Sequence, residues 1–378
     1  MRLLYFINQI TNSGGIERIV IDKINYLASL PNYQVYLFFY GTADDVPFYT
    51  IDDRIKRIPM SADVKGHSFV KKICGAGKIV SFVRKRINEV KPDVIVNANV
   101  WVVSYFLPFI CRKIPKVIEL HFSYDGLQIM NKEIYRSNKI KIAVNNGLRR
   151  LFYPCYDKCV VLTNDDAKKW NFKNLVVIPN FSNVRKSENV DVKREKIAIS
   201  VGRLEYQKNH LILLKAWMPI AKKYPEWKLE IWGGGQLKGP LEEFINKMGL
   251  QDFVSLKGTT TEIQKQYQRA SFFVLSSRYE GQPLVVIEAM QMGLPCVCFA
   301  ITGTSDIIEN GKNGFLATAN DEKSLTNAIE QMILAMDSFE KFSRNAIAST
   351  LLFEKDNVMN LWIQLFENLK REKNENCN

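Results

Sequence analysis

Residues 276–295 read SSRYEGQPLVVIEAMQMGLP, and the way this stretch joins its neighbours decides the fold. Immediately upstream, Ala270-Ser271-Phe272-Phe273-Val274-Leu275 is a short apolar run rich in Phe and Val, the composition of a buried strand. From Pro283 to Met292 the apolar residues recur at helical spacing, and the loop between holds Glu280 and Gly281. Pro283 fits the first turn of a helix, where its missing N–H costs nothing. The backbone N–H groups of Leu284 and Val285 then lack partners inside the helix and face the space beside Glu280, which makes an anion site. Glu288 falls about one and a half turns into the same helix. A ligand at the helix mouth can therefore meet Glu280 with one part and Glu288 with another. On spacing alone, two solvated surface acids are the better reading.

Outward from this stretch, strands and helices alternate. Ile197–Val201 reads as a strand, Gly202-Arg203-Leu204-Glu205-Tyr206-Gln207-Lys208-Asn209-His210 as a loop, and Leu211 opens a helix. Arg203 and Lys208 in that loop are close enough to clamp one diphosphate, although the pair alone also fits two surface cations. Leu229-Glu230-Ile231-Trp232 is a strand running into the glycine turn Gly233-Gly234-Gly235, and Val254 to Thr259 gives another strand and loop. A last helix runs from about Lys355 to Lys370, with Val358, Leu361, Trp362, Leu365 and Phe366 as its apolar residues.

The first half has the same rhythm. Arg2 to Asn8 is a strand, Thr11-Asn12-Ser13-Gly14-Gly15 a turn, and Ile16 to Leu30 a helix. That layout aims N–H groups at a phosphate, or is an ordinary tight turn; it is no dinucleotide fingerprint, because G-x-G-x-x-G is absent. Strands follow at Gln34–Tyr40, Asp93–Asn97, Lys116–Leu120, from Val160, and at Leu175–Asn180, with helices at about Val70–Val90 and near Trp101–Arg112. Repeated βα units of this length predict an α/β protein with parallel, doubly wound sheets, whose ligands sit at the carboxyl ends of the strands. His121 stands at such an end, directly after Val117-Ile118-Glu119-Leu120. A lone histidine is more often a packing or hydrogen-bonding residue, and its place at a strand end leaves a substrate contact open. Ser182 to Lys196 is polar, charged and aperiodic, and reads as a linker between a domain over 1–181 and a domain over 197–354.

The 378 residues suffice for two such domains, and 47% hydrophobic with 24% charged residues is an ordinary soluble composition. The seven cysteines show no zinc-ligand spacing and read as reduced thiols of a cytosolic protein, with Cys296 and Cys298 in a strand core. The apolar start Leu3-Leu4-Tyr5-Phe6-Ile7 is too short for a cleavable signal peptide, and Val94–Ile110 is interrupted by Asn97, Asn99, Ser104 and Pro108, against a membrane span. Of the net charge of +13, residues 1–180 supply +12, from 27 Lys and Arg against 15 Asp and Glu. Such one-sidedness suggests an anionic membrane or nucleic acid as partner of the first half. Two basic segments carry it, Lys71-Lys72 through Arg84-Lys85-Arg86 and Arg136 through Arg149-Arg150-Leu151-Phe152-Tyr153, each a solvated helix face or a helix lying on an anionic bilayer. No recognisable RNA or DNA module accompanies them, which speaks against a nucleic-acid partner.

The run Glu-Gly-x-Pro-Leu-x-x-x-Glu-Ala-Met-x-x-Gly-x-Pro over residues 280–295 closely resembles the E-x7-E signature of family 4 glycosyltransferases. Gly202-Arg203-Leu204 with Lys208-Asn209, the Gly14-Gly15-Ile16-Glu17-Arg18 turn and the Gly233-Gly234-Gly235 turn resemble further elements of that family, so the resemblance spans nearly the whole chain. It implies the GT-B fold, two Rossmann-like domains facing a central cleft, with a C-terminal helix over 355–372 completing the first. It implies a retaining hexosyl or other glycosyl transfer from a nucleotide-diphosphate sugar, most simply a UDP-sugar. Arg203 and Lys208 would bind the pyrophosphate, Glu280 and His121 the transferred sugar, and Glu288 the ribose. Gly14, Gly15, Gly202, Gly233, Gly281, Pro283, Leu284 and Val285 would line the donor. Gly303-Thr304-Ser305-Asp306 replaces the family's commoner Gly-Gly-x-x-Glu, and no catalytic part is assigned to it. No Asp-x-Asp motif occurs in the chain, so no metal and no cofactor is expected, and Arg203, Lys208 and the helix mouth at Leu284 would neutralise the leaving diphosphate instead. With its basic first half, the chain suits a lipid-linked glycan acceptor and a peripheral position on the cytoplasmic face of the membrane, in bacterial capsule, exopolysaccharide or O-antigen synthesis. A nucleotide-sugar 2-epimerase of the same fold and a non-catalytic nucleic-acid-binding protein are the alternatives.

Overall fold

Parallel strands buried on both faces need continuous apolar runs, and the chain supplies them twice. The computed structural model describes residues 1–12, 14–60, 69–98, 100, 103–134, 138–184 and 194–375. Ser13, Asn99, Trp101, Arg136 and residues 185–193 of the expected linker lie outside the described residues, as do the side chains of Lys71 and Lys72. Contacts divide the chain into two units, Met1–His121 with Met130–Pro179 and Asp356–Asn378, and Phe122–Ile129 with Asn180–Lys355.

The first unit is built on β1 (Arg2–Ile7), β2 (Gln34–Tyr40), β3 (Lys56–Met60), β4 (Val94–Asn97), β5 (Lys116–Leu120), β6 (Lys158–Val161) and β7 (Leu175–Val177). Their order is β3-β2-β1-β4-β5-β6-β7, all parallel. The winding reverses between β1 and β4, where Leu3 pairs Val35 on one side and Val94 on the other. Central β4 and β5 are buried throughout, whereas the edge strand β3 begins with exposed Lys56 and Arg57 and contains Pro59. An edge is where a strand tolerates proline and cations.

Two sequence expectations shift by a few residues. The strand expected over Leu175–Asn180 ends at Val177, short of Pro179. The helix expected near Trp101–Arg112 is a single turn, Val103–Phe106, followed by a 3-10 turn Leu107–Phe109 that holds Pro108. Proline at that point removes the donor that a continuing helix needs. Among the described residues, no helix is long and apolar enough to cross a membrane.

The two basic segments turn out differently. In the helix Phe69–Val90, Ile79, Val83 and Ile87 are buried and Phe82 stacks edge-on against Phe38, so the apolar side faces the sheet. In the helix Lys139–Phe152, Ile140, Val144, Leu148 and Leu151 are instead 76%, 57%, 37% and 65% exposed. Arg149 of that helix is buried rather than solvated, next to Tyr153.

The second unit holds β8 (Ile197–Val201), β9 (Lys228–Trp232), β10 (Val254–Gly258), β11 (Phe272–Leu275), β12 (Cys296–Phe299) and β13 (Gly314–Ala317), in the parallel order β10-β9-β8-β11-β12-β13. Alternation along β11 feeds two cores. Phe272 and Val274 join Trp217, Leu213 and Leu325 on one face, while Phe273 and Leu275 join Val286, Ile287 and Met290 on the other. Cys296 and Cys298 face the second core, and burial pushes both thiols up.

The final helix, Lys355–Glu375, buries Val358, Met359, Trp362, Leu365, Phe366 and Leu369. Its residues from Asp356 belong to the first unit.

Candidate active site

In a doubly wound sheet, the loops that leave adjacent strands in opposite directions open a crevice at the point of reversal. In the second unit that point lies between β8 and β11, which pair directly, Phe272 with Ala198. The loop after β8 carries Gly202 to Asn209 and the loop after β11 carries Ser276 to Pro283, the two stretches singled out from the sequence. They are stitched together. Ser276 Oγ donates to the Lys208 and Asn209 carbonyls at 3.0 and 3.3 Å, and Arg278 N–H donates to the Gln207 carbonyl at 2.8 Å.

Glu280 is the centre of this join. Lys208 Nζ donates to its Oε1 at 2.7 Å and Gln207 Nε2 lies 3.4 Å from its Oε2, with both partners of the ion pair largely buried. Gln207 Nε2 also donates to the Tyr279 carbonyl at 3.1 Å. The Lys208 stem crosses Gly202 so closely that a Cβ there would stand 3.0 to 3.2 Å from its methylenes. Gly233 has φ +142°, and a Cβ on it would fall 2.0 Å from the Gly202 carbonyl oxygen. Gly303 has φ +91° and would strike the Gly281 carbonyl at 2.3 Å, so the 303–306 loop braces the backbone beside Glu280. At Gly233 and Gly303, where the clash is with backbone and φ is positive, only glycine allows the approach.

Arg203 and Lys208 do not share a partner. Arg203 is mostly exposed and meets Glu205 at 3.2 Å, a surface pair that costs little to redirect toward an anion. Pro283 is the N-cap of the helix Leu284–Gln291, with extended ψ of 105°, one position earlier than its expected place in the first turn. The first bonds of that helix run from Val286 and Ile287 N–H to the Pro283 carbonyl, so the N–H groups of Leu284 and Val285 precede the intrahelical ladder. Glu288 is buried on the same helix, 3% exposed.

The first unit holds the other predicted residues. Gly14 is the N-cap of the helix Gly15–Ser29, and a Cβ on it would meet Glu17 Oε2 at 2.1 Å; Gly15 faces open space. His121 follows β5 and is 8% exposed, with Nε2 at 3.1 Å from Glu119 Oε2. The same Oε2 is ion-paired to Lys23, which is buried.

A family model for group 1 glycosyl transferases matches residues 182–349, the segment that contains β8 to β13 and the Lys208–Glu280 pair. The chain is a glycosyltransferase, with the group 1 match confined to residues 182–349. The transferase is 27% identical over 376 residues to the amylovoran biosynthesis glycosyltransferase AmsD of Erwinia amylovora, covering 96% of this chain and 98% of that one. It is 26% identical over 378 residues to an α-1,4-N-acetyl-D-galactosaminyltransferase of Campylobacter jejuni whose named acceptor is an undecaprenol-diphosphate glycan, covering 98% and 99%. Its fold is similar to that of Anabaena HepE, solved in complex with UDP, with a TM-score of 0.73 at 17% identity over 97% of this chain and all of that one. Two parallel-sheet α/β units are the GT-B architecture that such neighbours share.

Sequence reasoning passed over several groups in the transferase. Gln207 holds the second oxygen of Glu280. Arg278 lies over the Tyr206 ring at 4.2 Å and donates to Asn209 Oδ1 at 2.8 Å, which fixes Asn209 at its left-handed φ of +54° before the helix His210–Lys223. Asparagine is among the few side chains at ease there. His210, buried behind Lys208, has its pKa lowered to about 4, first by desolvation and then by the Lys208 charge. The Lys208-Asn209-His210 run was the available signal for Gln207, Asn209 and His210, while nothing near Arg278 in the sequence marks its contact with Asn209.

Proposed function

We propose that the transferase moves a glycosyl group, with retention and without a metal ion, from a UDP-sugar to a hydroxyl of a lipid-linked glycan, as a family 4 enzyme of bacterial surface polysaccharide synthesis. The observation that carries this reading is Glu280, a buried carboxylate held on both oxygens by Lys208 and Gln207 beside a helix N-terminus. Glu280 orients the anomeric carbon of the sugar, and His121 contacts the same sugar. Glu288 accepts hydrogen bonds from the ribose hydroxyls. Gly14, Gly15, Gly202, Gly233 and Gly281 let backbone approach the donor where a side chain would intrude.

In the transfer step the bond from the anomeric carbon to the diphosphate oxygen breaks as the bond to the acceptor oxygen forms. The acceptor proton passes to the leaving phosphate oxygen. Arg203, Lys208 and the Leu284 and Val285 N–H groups neutralise the charge that develops there, each such donor contributing about 3 kcal/mol to lowering the barrier. Pro283 fixes the entry to that helix.

UDP as the nucleotide is supported by HepE with its bound UDP and by a relative named for UDP-Gal, an α-1,3-galactosyltransferase of Escherichia coli that is 30% identical over 191 residues. The lipid-linked acceptor is supported by the named substrates of the C. jejuni and E. coli relatives. A peripheral position on an anionic cytoplasmic membrane face is supported by the helix Lys139–Phe152, whose exposed apolar stripe is flanked by exposed Lys139, Lys141 and Arg150.

Thermal shift in EDTA across UDP-, GDP-, ADP- and dTDP-sugars tests the donor. At 100 times its dissociation constant the true donor adds about 2.7 kcal/mol, and one UDP-sugar should stand out. Silence from every UDP-sugar, or a requirement for divalent metal, would remove the reading. The anomeric configuration of the product, read by NMR, tests retention.

A further inference from the structure

Three charged or titratable side chains are buried together in the first unit, and transfer as proposed employs only one. Lys23, from the helix Gly15–Ser29, and Glu119, from β5, form an ion pair with side chains 2% and 3% exposed. Trp362 of the final helix closes over the lysine, its ring centroid 3.7 Å from Nζ. His121 Nε2 is 3.1 Å from the carboxylate oxygen that Lys23 holds, yet off the line of a straight hydrogen bond, and both Nε2 and Glu119 Oε1 lack a hydrogen-bond partner among the described residues. The terminal torsion of histidine is soft, so a small turn of the ring aligns Nε2 with Oε2.

A buried ion pair is a poor means of stabilising a fold, because desolvation offsets most of its attraction and apolar residues of equal volume do as well. Its retention beside a strand-end histidine has a chemical use. An ionised carboxylate accepts an N–H from one ring nitrogen, fixes the tautomer, and leaves the other nitrogen with its lone pair. Lys23 and the His121 ring, working against burial, hold the Glu119 carboxyl down at about 2, so the acceptor is ionised at any working pH.

We infer that Glu119 and Lys23 are positioning residues for His121: Lys23 keeps Glu119 a carboxylate, Glu119 takes the Nε2 hydrogen, and Nδ1 is thereby presented as a hydrogen-bond acceptor. The value of that arrangement for transfer rests on the assignment of His121 to the sugar proposed above; the positioning itself does not.

The chain has three histidines, so nitrogen-15 NMR of the full-length protein labelled at histidine can assign His121 by comparison with His121→Gln. At pH 8, free of ligand, His121 should show a protonated Nε2 and an unprotonated Nδ1. Because removing one charge alone would strand the other, both are replaced together. Lys23→Met/Glu119→Met should shift His121 to a tautomer mixture and lower kcat/KM for transfer about tenfold. Lys23→Met/Glu119→Gln, whose amide oxygen still accepts, should restore the Nε2–H form and most of the rate. A wild-type mixture, a wild-type Nδ1–H form, or identical His121 signals in wild type and the Met pair would overturn the inference. A shifted tautomer with unchanged transfer would instead uphold the positioning and remove His121 from the sugar.

Discussion

Lys208 and Glu280 neutralise each other at 2.7 Å with little exposure, so removing either strands the charge of the other. Glu280→Gln keeps the shape and the contact with Gln207 but weakens the tie to Lys208. Transfer should fall by about 100- to 1,000-fold with UDP affinity nearly unchanged. Glu288→Gln should do the reverse, raising the donor dissociation constant with little effect on kcat. Calorimetric titration with UDP alongside single-turnover rates separates the two, and identical behaviour of the variants would sink the division of labour. His210 gives the second test at this scale. Its folded pKa of about 4 lies below the value near 6.5 of an unfolded histidine, so the fold refuses a proton that the unfolded chain takes up. The stability held above pH 6.5 should be lost as pH falls from there toward 4, by up to about 3 kcal/mol. Urea melts at pH 7.5 and 4.5 should show that loss, and His210→Gln should flatten it. The sequence singled out the loops after β8 and β11 by their motifs, and the structure brings Lys208 of one to Glu280 of the other. Lys23 and Glu119 were not singled out, since a buried charge and a solvated charge look alike in one dimension. The hint was their setting: Lys23 lies among Val20, Ile24 and Leu27 on the apolar helix face, and Glu119 interrupts a central strand.

Elements were most legible where both neighbours agreed. The strand Phe272–Leu275, the loop and the helix Leu284–Gln291 fall where periodicity puts them, with Pro283 displaced by one position because it ends the loop in an extended conformation. β3 carries no expectation from the sequence, because Lys56, Arg57 and Pro59 leave no apolar run or alternation, and only pairing with β2 makes it a strand. That information is tertiary. Element ends also carry a stability prediction. Arg194 gives Nη1 to the Tyr267 and Ala270 carbonyls and Nη2 to the Met292 carbonyl, tying the close of the helix Ile263–Arg269 to that of the helix Leu284–Gln291. Its positive charge suits both helix C-termini. Arg194→Met should cost about 3 kcal/mol and lower the Tm of the second unit by on the order of 10 °C. Differential scanning calorimetry would register it, and a change under one degree would show that water replaces the guanidinium.

At the scale of the whole chain, charge and exposed apolar surface coincide in the first half. Residues 1–180 hold +12 of the +13 net charge, and the helix Lys139–Phe152 bares Ile140 and Leu151. The transferase should float with phosphatidylglycerol vesicles at low salt, less so at high salt, where screening shortens the reach of each cation to a few ångströms. Ile140→Asp/Leu151→Asp should abolish flotation while leaving transfer to a water-soluble acceptor intact. Flotation unaltered by the pair would place the membrane contact elsewhere or nowhere. The first unit also draws on both ends of the sequence, and Trp362 covers Lys23. A ribosome adding about 5 to 20 residues per second presents the lysine roughly 20 to 70 seconds before its cover exists. The second unit, whose residues are nearly all complete by Lys355, can settle during that wait. The first cannot: the layer that holds Trp362 is made after the whole of the second unit, and a nascent chain arrested before Trp362 would leave Lys23 and Glu119 open to water until translation resumes.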